Sequence, residues 1–217
     1  MEKTKTSWID LYKKYGIYIF LVVVCAFFSV AAPNFLSASN LINILRQVSM
    51  FGIVVIGVTM VMIGGGMDLS VGGQMAVVGM VVGFLLVKLN LPIPVTALVG
   101  ILTGIAFGTV NGIVAIKLKI MPIIVTLSTM LILQGVAYLI TGGYPITGMP
   151  KPFLMLGQGY IGPIPIPVII FVLFILFGWI VMNKTYLGRM IYALGGNKEA
   201  ARLAGIKLDK LKVMVYE

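Results

Sequence analysis

Long apolar runs separated by short polar stretches set the pattern of this chain. Six of them reach membrane-spanning length: residues 15–32, 48–67, 71–89, 95–116, 120–140 and 164–182. The first would extend roughly 27 Å as an α-helix, close to the thickness of a bilayer's hydrocarbon. It is longer than a signal-peptide core, and Ala31-Ala32 is followed by Pro33, an awkward cleavage neighbour, so an uncleaved first transmembrane helix is expected. Residues 33–47 read as a polar-tinged connection ending near Arg46. The fold class that follows is all-α: a polytopic helical membrane protein with about six transmembrane helices.

Polar and small residues inside these runs carry the finer expectations. Gly64, Gly65 and Gly66 lead into Met67-Asp68-Leu69-Ser70, and each glycine costs a helix interior about 1 kcal/mol relative to alanine. A broken helix is expected over 64–70, with Asp68 or Ser70 capping the next helix, because lipid cannot satisfy its first backbone N–H groups. Asp68 is then either such a cap or part of a pathway. The fourth run places Gly100, Gly104, Gly108 and Gly112 at four-residue spacing, a stripe that lets a neighbouring helix approach closely. Asn111 lies beside it. The fifth run carries Thr126, Ser128, Thr129 and Gln134; hydroxyls can bond their own helix, whereas Gln134 and Asn111 suit interhelical contact or a pathway. Residues 141–163, rich in Gly and Pro, form the longest stretch expected to lack helix, and Pro165 and Pro167 fit a first helical turn.

Composition sharpens the class. With 60% hydrophobic and 10% charged residues and a mean hydropathy of +1.11, too little polar surface remains for a water-soluble domain. The net charge of +10 sits in short loops without interleaved aromatics, which argues against nucleic acid as partner. There is no His and a single Cys25, so no internal disulfide forms and neither an imidazole nor a thiolate metal site is expected. Asp68 is the lone carboxylate in the membrane region, so an aspartic dyad is missing and no catalytic residue is assigned. No G-x-x-x-x-G-K-[ST] occurs, and no cofactor is expected.

Six spans with alternating loops place 13 cations on one side: Lys3, Lys5, Lys13, Lys14, Lys117, Lys119, Lys184, Arg189, Lys198, Arg202, Lys207, Lys210 and Lys212. Only Arg46, Lys88 and Lys151 fall on the other. The positive-inside rule then puts the N-terminus and residues 183–217 in the cytoplasm, in a multi-pass protein of the cell (inner) membrane. The expected division is a cytoplasmic tail at 1–14, a membrane domain at 15–182, and at 183–217 a cytoplasmic loop with the start of a further segment.

That last segment contains YALGGNKEAARLAGI, residues 192–206. Gly195 and Gly196 break structure, Asn197 is a good N-cap, residues 198–204 favour helix and Gly205 fits the position just past its end. The short helix mixes Ala200, Ala201 and Ala204 with Glu199 and Arg202 and has little to bury against its own chain, as a docking element would. A solvated basic loop retained for topology would carry the same charges.

Glu199-Ala200-Ala201, three residues and Gly205 resemble the EAA loop of ABC importer permeases. With Gly65-Gly66-Met67-Asp68-Leu69-Ser70-Val71-Gly72 and the stretch over 108–143, nearly the whole chain resembles the ribose/xylose-type sugar ABC transporter permease family. The Leu-Pro ending of other EAA loops does not follow Ile206, in agreement with the sugar branch. The resemblance implies a permease subunit forming a monosaccharide path. It would pair with a second permease chain, most simply a second copy, within membrane lipid. An ATPase subunit would dock on Gly195, Gly196, Asn197, Glu199, Ala200, Ala201, Arg202 and Gly205, and an extracytoplasmic sugar-binding protein on the opposite side. Such permeases continue through further helices, so the resemblance also implies a C-terminally truncated sequence. The competing readings are an ion-coupled secondary transporter, which also uses broken helices but normally wants more than one intramembrane carboxylate, and a non-transporting membrane scaffold.

Overall fold

The structure, a computed structural model, describes residues 8–216 and the side chains of residue 13 and residues 15–216. Lys3 and Lys5 lie outside the described residues. The chain divides into two compact units, residues 1–47 and 48–217.

In the first unit, α1 (Trp8–Ala31) starts earlier than the proposed tail boundary at residue 14, so the second half of that tail is helical. The connection expected over 33–47 is also shorter than its polarity suggested: α2 (Ala38–Ile63) begins ten residues before the apolar run. No Gly or Pro interrupts residues 34–51, and Ser37 starts the helix, its Oγ accepting the Asn40 N–H at 3.2 Å. Polarity alone does not end a helix.

The second unit contains the rest of α2, then α3 (Val71–Val87), α4 (Ile93–Lys117) and α5 (Pro122–Thr141). Prolines in the first turns of α4 and α5 fit there because those N–H groups have no intrahelical partner. The stretch expected to lack helix instead contains α6 (Lys151–Gln158), delimited by Pro150 and Gly159. A short hairpin follows, β1 (Tyr160–Ile161) pairing antiparallel with β2 (Ile164–Pro165) around Gly162 at φ 60°. Gly and Pro here end elements rather than prevent them. Next come α7 (Ile166–Lys184), α8 (Tyr186–Gly196), α9 (Lys198–Leu203) and α10 (Leu208–Tyr216).

Among the described residues α2, α4, α5 and α7 are long and apolar enough to cross a membrane, and the apolar stretches Tyr15–Ala31 and Val71–Val87 are shorter. The protein is thus a polytopic helical membrane protein, with its helix broken between α2 and α3 as expected. Its burial pattern is inverted relative to a soluble protein. Leu139 is 80% exposed and Leu131 63%, while Asp68, Ser70, Thr96, Asn111 and Thr126 are buried. Hydrocarbon solvates the former and demands internal partners for the latter.

Two apolar clusters organise the second unit. Val77 on α3 packs with Leu133 and Ala137 on α5, with Phe107 of α4 against them. A Cβ on Gly73 would stand 2.7 Å from the Met130 carbonyl oxygen, so this glycine sets the close α3 to α5 approach. The other cluster joins Met182 of α7, Ile191 and Leu194 of α8 and Leu211 of α10, with Met60 and Ile63 of α2 packed on it.

Candidate translocation and coupling sites

The glycine break is a hydrogen-bonded helix ending. Gly65, at φ 76°, donates its N–H to the Met62 carbonyl, and Gly66 donates to Val61. This pair is the Schellman arrangement, which gives the Met62 and Val61 carbonyls at the helix end backbone donors that lipid could not supply. It needs a left-handed residue at position 65, which glycine adopts at no steric cost.

Beyond the break the polar side chains converge. Asp68 Oδ1 accepts the Ser70 N–H at 2.7 Å and the Ser70 hydroxyl at 2.6 Å. That hydroxyl also accepts from Gln74 Nε2 at 2.7 Å and from Asn111 Nδ2 at 2.8 Å. Asn111 Oδ1 accepts the Thr129 hydroxyl at 2.7 Å. The Ser70 oxygen therefore uses its one donor and both acceptor positions, joining α3 to α4 and, through Asn111, to α5. The capping expectation is modified in detail. Ser70 occupies the N-cap position of α3 without a side-chain cap bond, and Asp68 satisfies Ser70 rather than the helix's first turn.

The remaining intramembrane candidates separate. Gln134 is exposed on α5, away from this network. In the glycine stripe, a Cβ on Gly100 would lie 2.8 Å from Val82 Cγ2 and one on Gly112 2.9 Å from Val213 Cα, while Gly104 meets nothing within 4 Å. Gly108 is buried. One stripe thus serves two partners, α3 and α10.

The segment after α7 folds back onto the break. Thr185 caps α8, its Oγ1 accepting the Gly188 N–H at 3.3 Å. Gly195 and Gly196 do not break the chain as expected; they form the last residues of α8, because Asn197 rather than glycine leaves the helical conformation. Gly195 packs its bare Cα face against the Ile63 carbonyl at the end of α2. Asn197 caps α9 as expected, Oδ1 accepting the Ala200 N–H at 3.0 Å. Gly205, at φ 81°, closes α9 with a second Schellman pair, Gly205 to Arg202 and Ile206 to Ala201. Glu199 and Arg202 pair at 3.0 Å on the exposed surface, a bridge of small energetic weight.

Ala201 is buried, although the short helix was expected to have little to bury against its own chain, and its carbonyl accepts the Ile206 N–H at 3.1 Å. The outward face carries Ala200, Ala204 and Leu203, the last 83% exposed. Leu203 escaped the sequence reading, although it is the one large apolar residue in a short charged helix.

Tyr216 was also missed. Its hydroxyl bonds both the N–H and the carbonyl of Met67, each at 3.3 Å. Burial pushes the Tyr216 phenol above its ordinary value; the Met67 bond pulls it partly back and the charge of Asp68 raises it again. Among the described residues no group of three His, Cys, Asp or Glu converges.

Residues 40–216 match the family described as "Branched-chain amino acid transport system / permease component". The chain is 36% identical over 217 residues to the ribose import permease protein RbsC of Bacillus subtilis, covering 99% of this chain and 67% of that protein. It is 37% identical over 203 residues to RbsC of Haemophilus influenzae, covering 92% and 62%. It is 33% identical over 230 residues to the galactose/methyl galactoside import permease protein MglC of Escherichia coli, covering 98% and 68%. The chain thus spans roughly two thirds of its relatives' length. No solved structure matches it.

Proposed function

The chain belongs to the family of branched-chain amino acid transport system permease components, and from that premise we propose that it is the membrane subunit of an ATP-driven monosaccharide importer. The similarity to ribose and galactose import permeases supports a sugar as cargo. ATP hydrolysis then belongs to a separate ATPase subunit, and an extracytoplasmic binding protein delivers the sugar. A second permease chain completes the path. The orientation with the N-terminus and residues 183–217 in the cytoplasm rests on the cation division. Lys184 over the Trp179 ring at 5.4 Å and Arg189 over Tyr186 at 5.7 Å fit a water boundary near the end of α7.

The observation that carries the proposal is the construction of α9. Both its ends are closed by the chain itself, so it is a rigid element, and it presents Ala200, Leu203 and Ala204 outward with Glu199 and Arg202 at its flank. Such a face offers a partner groove one apolar knob among small residues, with charges to orient it. The segment 183–217 is therefore the coupling unit of the proposed division, 1–14 the tail and 15–182 the membrane domain. Movement of α9 reaches the membrane by two contacts, Gly195 on Ile63 and Tyr216 on Met67. Asp68, Ser70 and Asn111 hold the break that this movement would reshape, and Gln134 is the candidate facing a second chain or the path.

The docking is tested by placing cysteine at Glu199→Cys in a Cys25→Ser background and cross-linking to the co-expressed ATPase. ATP-sensitive cross-links are expected. A folded permease that binds the ATPase without any cross-link from this position would remove α9 from the interface.

A further inference from the structure

A cavity of about 410 Å³ opens where the glycine end of α2 meets the ends of α4 and α8 and one side of α10. Lys119, Lys198 and Lys212 line it with a single carboxylate, Asp209. Among the described residues no ion pair is formed between Asp209 and any of the three lysines, and one carboxylate faces three ammonium groups. Asp209 lies in the first turn of α10, where the positive end of its helix favours its charge, and it offsets one of the three cations.

The three cations come from separate parts of the fold. Lys119 sits in the turn between α4 and α5 at φ 52°, a left-handed conformation that a lysine rarely adopts. Lys198 opens α9 and passes over the bare backbone of Gly65, its Cε about where a side chain there would touch it. Lys212 reaches in from α10. Three lysines against one carboxylate leave the cavity lining with an excess of positive charge, which favours an anionic occupant. Gly64, Gly65, Gly66 and Gly112 also line the cavity, and without side chains they leave room for a tetrahedral group to approach the backbone. Basic pockets at the ends of membrane helices are suited to phosphate groups, which lysine holds as a point charge.

We propose that this cavity binds a phosphate-bearing anion, the headgroup of an anionic phospholipid or free inorganic phosphate, clamped by Lys119, Lys198 and Lys212. Occupancy ties the turn after α4 to α9 and α10, and so holds the segment after α7 against the break. The proposal does not depend on the transport reading, because it concerns binding alone.

The test uses the full chain purified in a neutral detergent. It is titrated separately with inorganic phosphate, phosphatidylglycerol and net-neutral phosphatidylcholine, and followed by thermal melting and native mass spectrometry. Saturable stabilisation by phosphate or phosphatidylglycerol, but not by phosphatidylcholine, is expected. A response to phosphate alone assigns a soluble anion, to phosphatidylglycerol alone a lipid headgroup, and to both the shared phosphate. The Lys119→Gln/Lys198→Gln/Lys212→Gln variant should raise the half-saturating concentration at least about tenfold. Lys119 and Lys198 are exposed and Lys212 is partly buried, and glutamine keeps most of the length of each side chain. Lys184→Gln/Arg189→Gln removes charge elsewhere and should leave binding unchanged. No response to either anion, unchanged affinity in the triple variant, or equal weakening by the control variant would overturn the proposal.

Discussion

The hydroxyl of Tyr216 stands 3.3 Å from the amide nitrogen of Met67 and 3.3 Å from its carbonyl oxygen, accepting from one and donating to the other. Two residues 149 positions apart thereby fix α10 to the chain just beyond the glycine ending of α2. Tyr216→Phe keeps the ring and removes both bonds, and should cost about 1 kcal/mol of stability. Thermal melting in detergent checks the magnitude, and sugar transported per ATP hydrolysed should fall. A variant with wild-type melting and wild-type stoichiometry would show that the contact transmits nothing.

The same phenol sets a pH dependence. Its value in the folded protein is raised, chiefly by burial, so its contribution is complete below the unfolded phenol value of about 10 and is lost as pH rises through the folded value. Melting temperature should therefore decline above about pH 10 more steeply in the wild type than in Tyr216→Phe. Parallel profiles would contradict this assignment.

At the polar junction, Ser70 is the member with every hydrogen-bonding position in use. Ser70→Ala leaves the Gln74 and Asn111 amides and Asp68 each short of a buried partner, a loss of about 1–3 kcal/mol for each group left unmatched. Gln74→Leu removes one donor at the edge of the network and should lower the melting temperature less. Asp68→Asn retains an acceptor for Ser70; normal insertion with altered sugar selectivity would point to sugar contact, and failed insertion to a structural role. Equal melting of Ser70→Ala and Gln74→Leu would sink the hierarchy.

Neighbouring glycines give a matched comparison. A side chain at Gly195 collides with the Ile63 carbonyl, whereas one at Gly196 meets nothing within 4 Å. Gly195→Ala should lower the melting temperature and Gly196→Ala should not. Within the stripe the expected order is Gly112→Ala, against backbone, then Gly100→Ala, against a valine methyl, then Gly104→Ala, which meets open space. A Gly104→Ala cost as large as that of Gly112→Ala would place a second chain on that face.

The apolar helices were legible because uninterrupted hydrophobicity is itself the physical requirement for crossing hydrocarbon; among the described residues four of them, α2, α4, α5 and α7, are long and apolar enough to do so. Asn197 and Gly205 were legible because a cap is a local contract between a side chain and a backbone a few residues away. The early start of α2 and the existence of α6 were not, since polarity at 38–47 and glycine and proline at 141–163 were weighed as breaks. Where Ser70 meets Asn111, and Tyr216 meets Met67, nothing local signals the pairing; only the close packing that Gly73, Gly112 and Gly195 permit brings those segments together.

The most direct measurement is radiolabelled ribose uptake by cells carrying this permease with the proposed ATPase and binding-protein partners, compared after ATP depletion and after addition of a protonophore. Uptake that stops on ATP depletion and persists with the protonophore is expected of an ATP-driven importer. Uptake that survives ATP depletion and collapses with the proton gradient would contradict it and identify an ion-coupled carrier.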